Sequence, residues 1–456
     1  MKSKIVIILS AAAVMFSSCR KDNYVIPIGS DAVPSEKTVV AVKKNADGKW
    51  QMTVNNKPYY VNGAATNRFY NDVAKFGGNT IRLYSPTDAN TMTIMDEAYQ
   101  NGLMVYLGLG MSAAEYMDYT DAAKVAAQKE KIMAWVKQYM HHPALLCWSI
   151  GNEIEASNDN NMNLWKAVGD IADSIRELDP DHPITCTLAG SGEARVRNLA
   201  ACSKAIDLIS VNAYYPVVSN IPANMAAAGV DLPYLVTEFG PRGTWAMSPE
   251  PGRILPWSDY YSGSSKALVE ETSTEKAEVY FSVWKNDIKA NEAKGCLGSF
   301  IFVWGYQSHG EVLNWYGTHT KDRYAFGCCD KMQECWTGKA PSSPAPCIAS
   351  RKDMTMNGKV AEDAIYVSPG SDNTASVVAT SPSGLNLRYH WFVYRESDKE
   401  SDGSIPAGIK GLIEDDSLSR IKFKAPNGAG AYRLYVYVLD DVSKKAASAC
   451  IPFCVK

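Results

Sequence analysis

The 456-residue sequence has no marked excess of charge and no basic block: 46 Lys and Arg face 49 Asp and Glu, a formal −3. Phosphate backbones are bound by clustered Lys and Arg, so a nucleic-acid partner is excluded. Past the first twenty residues, no apolar run reaches the ~20 residues of a membrane span. Neither a G-x-G-x-x-G string nor a Walker loop is present, which argues against a doubly wound nucleotide-binding sheet. H-E-x-x-H is missing, and so is the G-x-S-x-G elbow of an esterase. The eleven cysteines do not form a disulfide framework. Cys328, Cys329 and Cys335 lack the C-x2-C spacing of a zinc site and read as buried thiols or a local disulfide. Cys450 and Cys454 share one face of a strand-like tail, which disfavours a bond between them. No metal, organic cofactor or required protein partner is expected.

What is present is a globular composition, 46% hydrophobic and 21% charged, with 25 Tyr and 11 Trp. That length and balance suit two or three domains, or one large barrel with an appendage. At the start, Lys2 and Lys4 precede the apolar run Ile5 to Phe16, which ends in Ser17-Ser18-Cys19. The pattern is a secretory signal. Small residues directly before a cysteine resemble a bacterial lipoprotein signal, which would make Cys19 the lipidated first residue. Residues 1–18 then read as leader and 19–35, with Pro27 and Pro34, as a polar leash in the cell envelope. Its length leaves periplasm and cell surface open.

Residues 337–350 interleave Pro341, Pro344 and Pro346 with Ser and Ala, the composition of a stiff linker. Beyond it, residues 351–456 alternate like strands. Leu385, Leu387, Tyr389, Trp391 and Val393 share one parity, and Tyr432, Leu434, Val436 and Val438 another. The expectation is a C-terminal immunoglobulin-like β-sandwich acting as structure or spacer, with glycan binding the lesser reading. Before the linker, residues 36–336 alternate short apolar runs with amphipathic helices. Eight strand candidates begin near residues 59, 80, 104, 145, 184, 208, 234 and 299. Between two of them, Leu164, Val168, Ile171, Ile175 and Leu178 form one helix face. Eight strands over about 245 residues fit a (β/α)8 TIM barrel. A hairpin of Val39–Val42 and Trp50–Val54 should cover its bottom.

Barrel enzymes carry their chemistry where strands run into βα loops. Here the fourth strand ends in W-S-I-G-N-E, Trp148 to Glu153, and the seventh in Y-L-V-T-E-F-G, Tyr234 to Gly240. Glu153 and Glu238 therefore face each other across the mouth. Paired carboxyls are what glycoside hydrolysis needs: one protonates the leaving oxygen, and the other attacks or stabilises the anomeric centre.

These strings resemble the large clan of retaining β-glycosidases built on an eightfold barrel, over about residues 50–310. His141 to Glu153 is similar to β-galactosidases and β-glucuronidases, and Asn79 to Ser85 to enzymes acting on β-1,3-glucan. The resemblance implies that Glu153 is the acid/base and Glu238 the nucleophile. It implies that Asn152 binds the sugar 2-hydroxyl, Arg82 and Tyr214 serve the nucleophile, and Trp304 forms an aromatic floor under the sugar. Asn67, Arg68, Asn212, Arg242, Trp245 and His309 are further candidates for the mouth; Glu155 lies two residues beyond Glu153, but the clan places the acid directly after Asn. The expected activity is retaining hydrolysis of a β-linked polysaccharide or oligosaccharide, with β-glucan favoured by Asn79–Ser85 alone. An exo-acting β-galactosidase-like enzyme, a transglycosylase, and a catalytically silent glycan-binding lipoprotein are the alternatives.

Overall fold

The computed structural model describes residues 37–66, 68–86, 90–247, 252–257, 267–306, 308–309, 312–313, 315–396 and 408–456. The leader, Cys19 and Asn67 lie outside the described residues, as does the side chain of His309. Strands β1 (Val40–Lys44), β2 (Trp50–Val54) and β3 (Lys57–Tyr59) form an antiparallel sheet. The first two make the expected hairpin. Val40 and Met52 pack on Val61, Leu146, Leu208, Leu235 and Leu297, sealing the N-terminal end of the barrel.

The barrel itself is a closed ring of eight parallel strands. They are β4 (Val61–Thr66), β5 (Thr80–Leu83), β6 (Met104–Leu109), β7 (Leu145–Asn152), β8 (Ile184–Leu188), β9 (Ile209–Asn212), β10 (Tyr234–Phe239) and β11 (Cys296–Trp304). Strands enclosed on both faces read as continuous apolar runs, which is why they stand out in the sequence. Helices α1 (Tyr70–Lys75), α2 (Thr91–Gln100), α3 (Ala122–Tyr139), α4 (Met162–Leu178), α5 (Glu193–Cys202) and α6 (Ile221–Ala228) follow the first six strands, α7 (Ser273–Val283) the seventh and α8 (Gly327–Thr337) the eighth. Caps start several of them: Asp121 accepts from two N–H groups of α3, Asn161 caps α4, and Thr272 with Glu275 forms a capping box on α7. Inside the ring, Tyr106 bonds Thr187 and Ser210, each at 2.9 Å, and Ser149 meets Thr187 at 3.0 Å.

After a short hairpin, β12 (Ser308–His309) with β13 (Val312–Leu313), come β14 (Ala325–Phe326), β15 (Met354–Met356), β16 (Ile365–Val367), β17 (Asp372–Val377), β18 (Arg388–Arg395), β19 (Arg420–Lys424), β20 (Gly430–Asp440) and β21 (Lys445–Val455). Two sheets result: β14-β21-β20-β18 with β16 beside β21, and β15-β17-β19. Trp391, Val393, Leu434, Val436 and Val438, the residues of shared parity, fill the space between the sheets. The opposite parity is buried too. Phe392, Tyr394, Tyr435, Tyr437 and Leu439 belong to the barrel's own core cluster, with Phe326 6.1 Å from Tyr437 between ring centres.

The C-terminal sheets are therefore a third layer on the barrel rather than a body on a spacer. β14, from the barrel side, even pairs with β21. Residues 337–350 are a bound strap. Ala345 and Ile348 are buried, Ala345 N–H donates to Asp330 at 2.7 Å, and Cys347 pairs with Thr380. All ten described cysteines are free thiols. No helix among the described residues is long and apolar enough to cross a membrane.

Candidate active site

Arg82 organises the mouth. Thr80, Arg82 and Tyr84 alternate along β5 and its end, so period two carries the guanidinium and the phenol to the barrel interior. Arg82 is only 2% exposed and lies 5.7 Å above the Tyr106 ring. Its Nη1 donates to Glu238 Oε1 at 3.0 Å, to Thr237 O at 2.8 Å and to Asn212 Oδ1 at 3.2 Å. Its Nη2 donates to Asn152 Oδ1 at 2.6 Å. Asn212 Nδ2 also donates to that oxygen, at 3.1 Å. Both contacts fall on Oδ1, which leaves the Asn152 amide N–H groups to donate elsewhere.

Glu238, at the end of β10, is buried and takes donors from three sides. Besides Arg82, Tyr84 donates to Oε1 at 2.9 Å and Tyr214 to Oε2 at 2.5 Å. Burial, and then the charge on Glu238, push both phenols well above their ordinary range, which keeps them protonated donors.

Glu153 occupies the opposite side of the mouth. The chain leaves β7 through two left-handed residues, Gly151 at φ 80° and Glu153 itself at φ 53°. A non-glycine residue there carries backbone strain, which is held by the bond from Glu153 N–H to Thr187 O at 2.8 Å. The side chain accepts from Asn212 Nδ2 at 2.7 Å. Burial, and then the neighbouring Glu238 charge, raise its pKa from 4.5 to about 8. Asn212 thus touches both halves of the site, bonding Glu153 through Nδ2 and Arg82 through Oδ1.

Glu155, two residues on, is not a rival acid. It is fully buried below the loop, accepts Ala189 N–H at 2.8 Å and lies 3.6 Å from Arg195.

Trp304 is a correction. Its indole is fully buried on the helix side of the barrel, with Phe76 at 5.6 Å, His319 at 5.1 Å and Trp336 at 6.2 Å. It cannot lie under a sugar. A register irregularity between Phe302 and Trp304 against β4 breaks the alternation that would have turned both rings inward. The ring that faces the site is Phe302, 5.8 Å from Tyr214, and Tyr316 joins it at 5.1 Å from Tyr214.

Besides Phe302, two residues missing from the sequence reading complete the site. Tyr84 was legible from its parity with Arg82; Tyr316 carries no local signal. Trp245, on the loop after β10, stands edge-on to Tyr214 at 5.6 Å, yet 61% of it is exposed. A Cβ on Gly243 would sit 2.4 Å from this indole, so only glycine lets the ring fold back on its own loop. Tyr215, in the β9 loop, is exposed as well, with Arg242 5.7 Å from its ring centre. Arg68 stacks 4.2 Å over Tyr306 at the rim. Among the described residues, no group of three or more His, Cys, Asp or Glu is arranged to hold a metal ion.

Residues 74–244 match the family described as glycosyl hydrolases family 2, TIM barrel domain. The matched stretch contains Arg82, Asn152, Glu153, Asn212, Tyr214 and Glu238. Over 74 residues the chain is 35% identical to mannan endo-1,4-β-mannosidase A of Podospora anserina, covering 16% of this chain and 20% of that protein. Among solved structures, a family 2 β-galacturonidase from Eisenbergiella tayi is similar at TM-score 0.48 and 14% identity, over 66% of this chain and 54% of that one. A β-galactosidase described as putative, from Bacteroides fragilis, gives TM-score 0.45 and 12% identity, over 92% and 58%. The chain thus spans a fifth of the mannosidase and under two thirds of either structure. Residues 74–244, which hold the barrel strands β5 to β10, are thus similar to the TIM-barrel domain of family 2 glycosyl hydrolases.

Proposed function

We propose that the chain is a retaining β-glycosidase in which Glu153 is the acid/base and Glu238 the nucleophile. One observation carries the reading: an arginine holds one carboxyl group and the uncharged Asn212 the other. Arg82 pairs with Glu238, while Glu153 holds its proton up to about pH 8. A protonated acid facing an ion-paired carboxylate is the division of labour that double displacement requires. Glu153 would protonate the glycosidic oxygen as Glu238 attacks the anomeric carbon. Glu153, now ionised, would then draw a proton from the water that releases the sugar. Asn152, its Oδ1 held by Arg82, would offer N–H to the sugar 2-hydroxyl, a bond that strengthens as positive charge develops.

The substrate is proposed as a β-linked glycan chain. Asn79–Ser85, the string that favoured β-glucan, has other work in the fold. Arg82 and Tyr84 bond Glu238, and Asn79 ties Asn62 to Tyr60. It therefore says little about which sugar is cut, and the exposed Trp245 and Tyr215 are better placed to choose. β-Glucan, mannan, galactan and xylan belong in one screen. Reducing ends should be released from at least one of them by the full chain and not by Glu238→Gln. Equal release by both proteins would defeat the assignment. Binding without release would favour the silent glycan-binding lipoprotein. Anchoring through lipidated Cys19 remains part of the proposal, and Cys19→Ala should move the protein from the membrane to the soluble fraction.

A further inference from the structure

A second buried ionic network lies where the C-terminal sheets meet the barrel, and it reaches the nucleophile. Its centre is Glu270, 3% exposed, on the segment that leads into α7. On the C-terminal side, Tyr435 OH donates to Glu270 Oε2 at 2.8 Å and the Cys450 thiol to the same oxygen at 3.3 Å. Arg433, with no exposed surface, lies 3.9 Å from that oxygen. It also donates to Leu268 O at 2.8 Å, and to Glu396 at 2.7 Å.

On the barrel side, Lys276 of α7 bonds Glu270 Oε1, and its ammonium sits 5.3 Å from the centre of the Trp315 ring. Leu268, Trp315, Tyr316 and Met247 form one buried cluster, against which Tyr214 and Phe302 pack. Trp315 Nε1–H donates to Arg242 O at 2.9 Å, tying the cluster to the loop after β10. Tyr316 backs the Tyr214 ring, and Tyr214 donates to Glu238.

We propose that Glu270 is a positioning residue for the nucleophile: latched to the C-terminal sheet by Arg433 and Tyr435, it fixes the Leu268–Trp315–Tyr316 cluster that holds Tyr214 against Glu238. The inference rests on the reading of Glu238 as nucleophile. A phenol-to-carboxylate hydrogen bond is directional, and a misplacement of about 1 Å from a remote change can cost a reaction about a hundredfold. Aromatic packing alone has no direction to prevent a cluster from sliding. An ion pair with hydrogen bonds on several sides does, because every partner must stay in place for the charges to remain matched. The C-terminal sheets would thus belong to the catalytic apparatus.

The test uses the full chain carrying Glu270→Gln, Tyr435→Phe, Tyr214→Phe, and each of the first two combined with Tyr214→Phe. Kinetics are measured on the glycan that the wild type cuts best, per mole of folded protein. Glu270→Gln should lower kcat about tenfold with KM nearly unchanged, and Tyr435→Phe less. In the Tyr214→Phe background neither should lower kcat further, because the bond they protect is already gone. Unchanged kcat in the single variants, or losses that multiply with Tyr214→Phe, would overturn the proposal and leave Glu270 a mere weld between layers. Crystal structures give a readout that needs no substrate. The Tyr214 hydroxyl should leave Glu238 in Glu270→Gln, and an undisturbed bond would also overturn the proposal. If Glu270→Gln fails to fold, Tyr435→Phe carries both arms. Full activity in Glu238→Gln would remove the underlying reading of the nucleophile, and the Tyr214 distance would still decide the positioning.

Discussion

The barrel mouth and the junction with the C-terminal sheets use the same chemical parts, an arginine buried among glutamates and tyrosines, but they balance charge differently. At the junction, Arg433 and Lys276 meet Glu396 and Glu270, two cations for two anions. At the mouth, Arg82 pairs with Glu238, while Glu153 is bonded to the uncharged Asn212. Matched charge in a low dielectric locks a structure in one state. A carboxyl left over beside a buried carboxylate must hold a proton, and that proton becomes available for chemistry. The difference suggests that stoichiometry, more than burial, separates a structural ion network from a catalytic one.

The largest effect should come from breaking the mouth. Glu238→Ala should lower turnover by at least about a thousandfold, as expected for loss of a nucleophile. Azide should then restore turnover and yield the α-glycosyl azide. Glu153→Ala, assayed with a good leaving group, should instead give the β-glycosyl azide. Exchanged anomers would exchange the two roles.

Breaking the junction wholesale comes next. Ending the chain after Pro344 would expose the barrel surface that Phe392, Tyr394, Tyr435 and Tyr437 cover. The expected product is an insoluble or inactive barrel, measured as soluble yield and specific activity. A soluble truncation with full activity would return the C-terminal sheets to the status of a spacer.

A smaller effect follows from the proton on Glu153. The folded protein holds it up to about pH 8, while an ordinary carboxyl releases it near 4.5. Activity should therefore fall as pH rises through about 8. Between those two values the folded state binds the extra proton, so this group's contribution to stability is present below about 4.5 and lost as pH rises through about 8. Glu153→Gln should remove that slope and raise the melting temperature more at pH 8 than at pH 5. An identical shift at both pH values would contradict the assignment.

The finest adjustment concerns Trp245. Replacing it with Ala should weaken kcat/KM on long glycan chains by about tenfold, within the range of one lost aromatic contact. An aryl monoglycoside should be little affected. Equal losses on both would mean that the indole acts on Tyr214 rather than on a distant sugar.

How much of this could be read from the sequence depends on whether a signal is local. The eight strands were legible because buried parallel strands are apolar throughout. Glu153, Glu238 and Arg82 were legible because each sits where such a run ends. Trp304 misled because an irregularity in β11 breaks the period of two, and no residue type announces it. The barrel-facing side of the C-terminal sheet could have been found. R-Y-H-W-F-V-Y-R and L-Y-V-Y-V-L have apolar residues on both parities where a sandwich exposed on one side would alternate. The junction network could not. Glu270, Lys276, Glu396, Arg433, Tyr435 and Cys450 are spread over 180 residues, and singly the charged ones resemble ordinary surface residues.

The most direct test of the central claim is the anomeric configuration of the first product. Proton NMR of the earliest turnover of a β-glycan should show the β-anomer first, with the α-anomer growing in only by mutarotation. That order is the signature of two displacements, by Glu238 and then by water. An α-anomer appearing first would mean a single displacement by water and would contradict the roles given to Glu153 and Glu238.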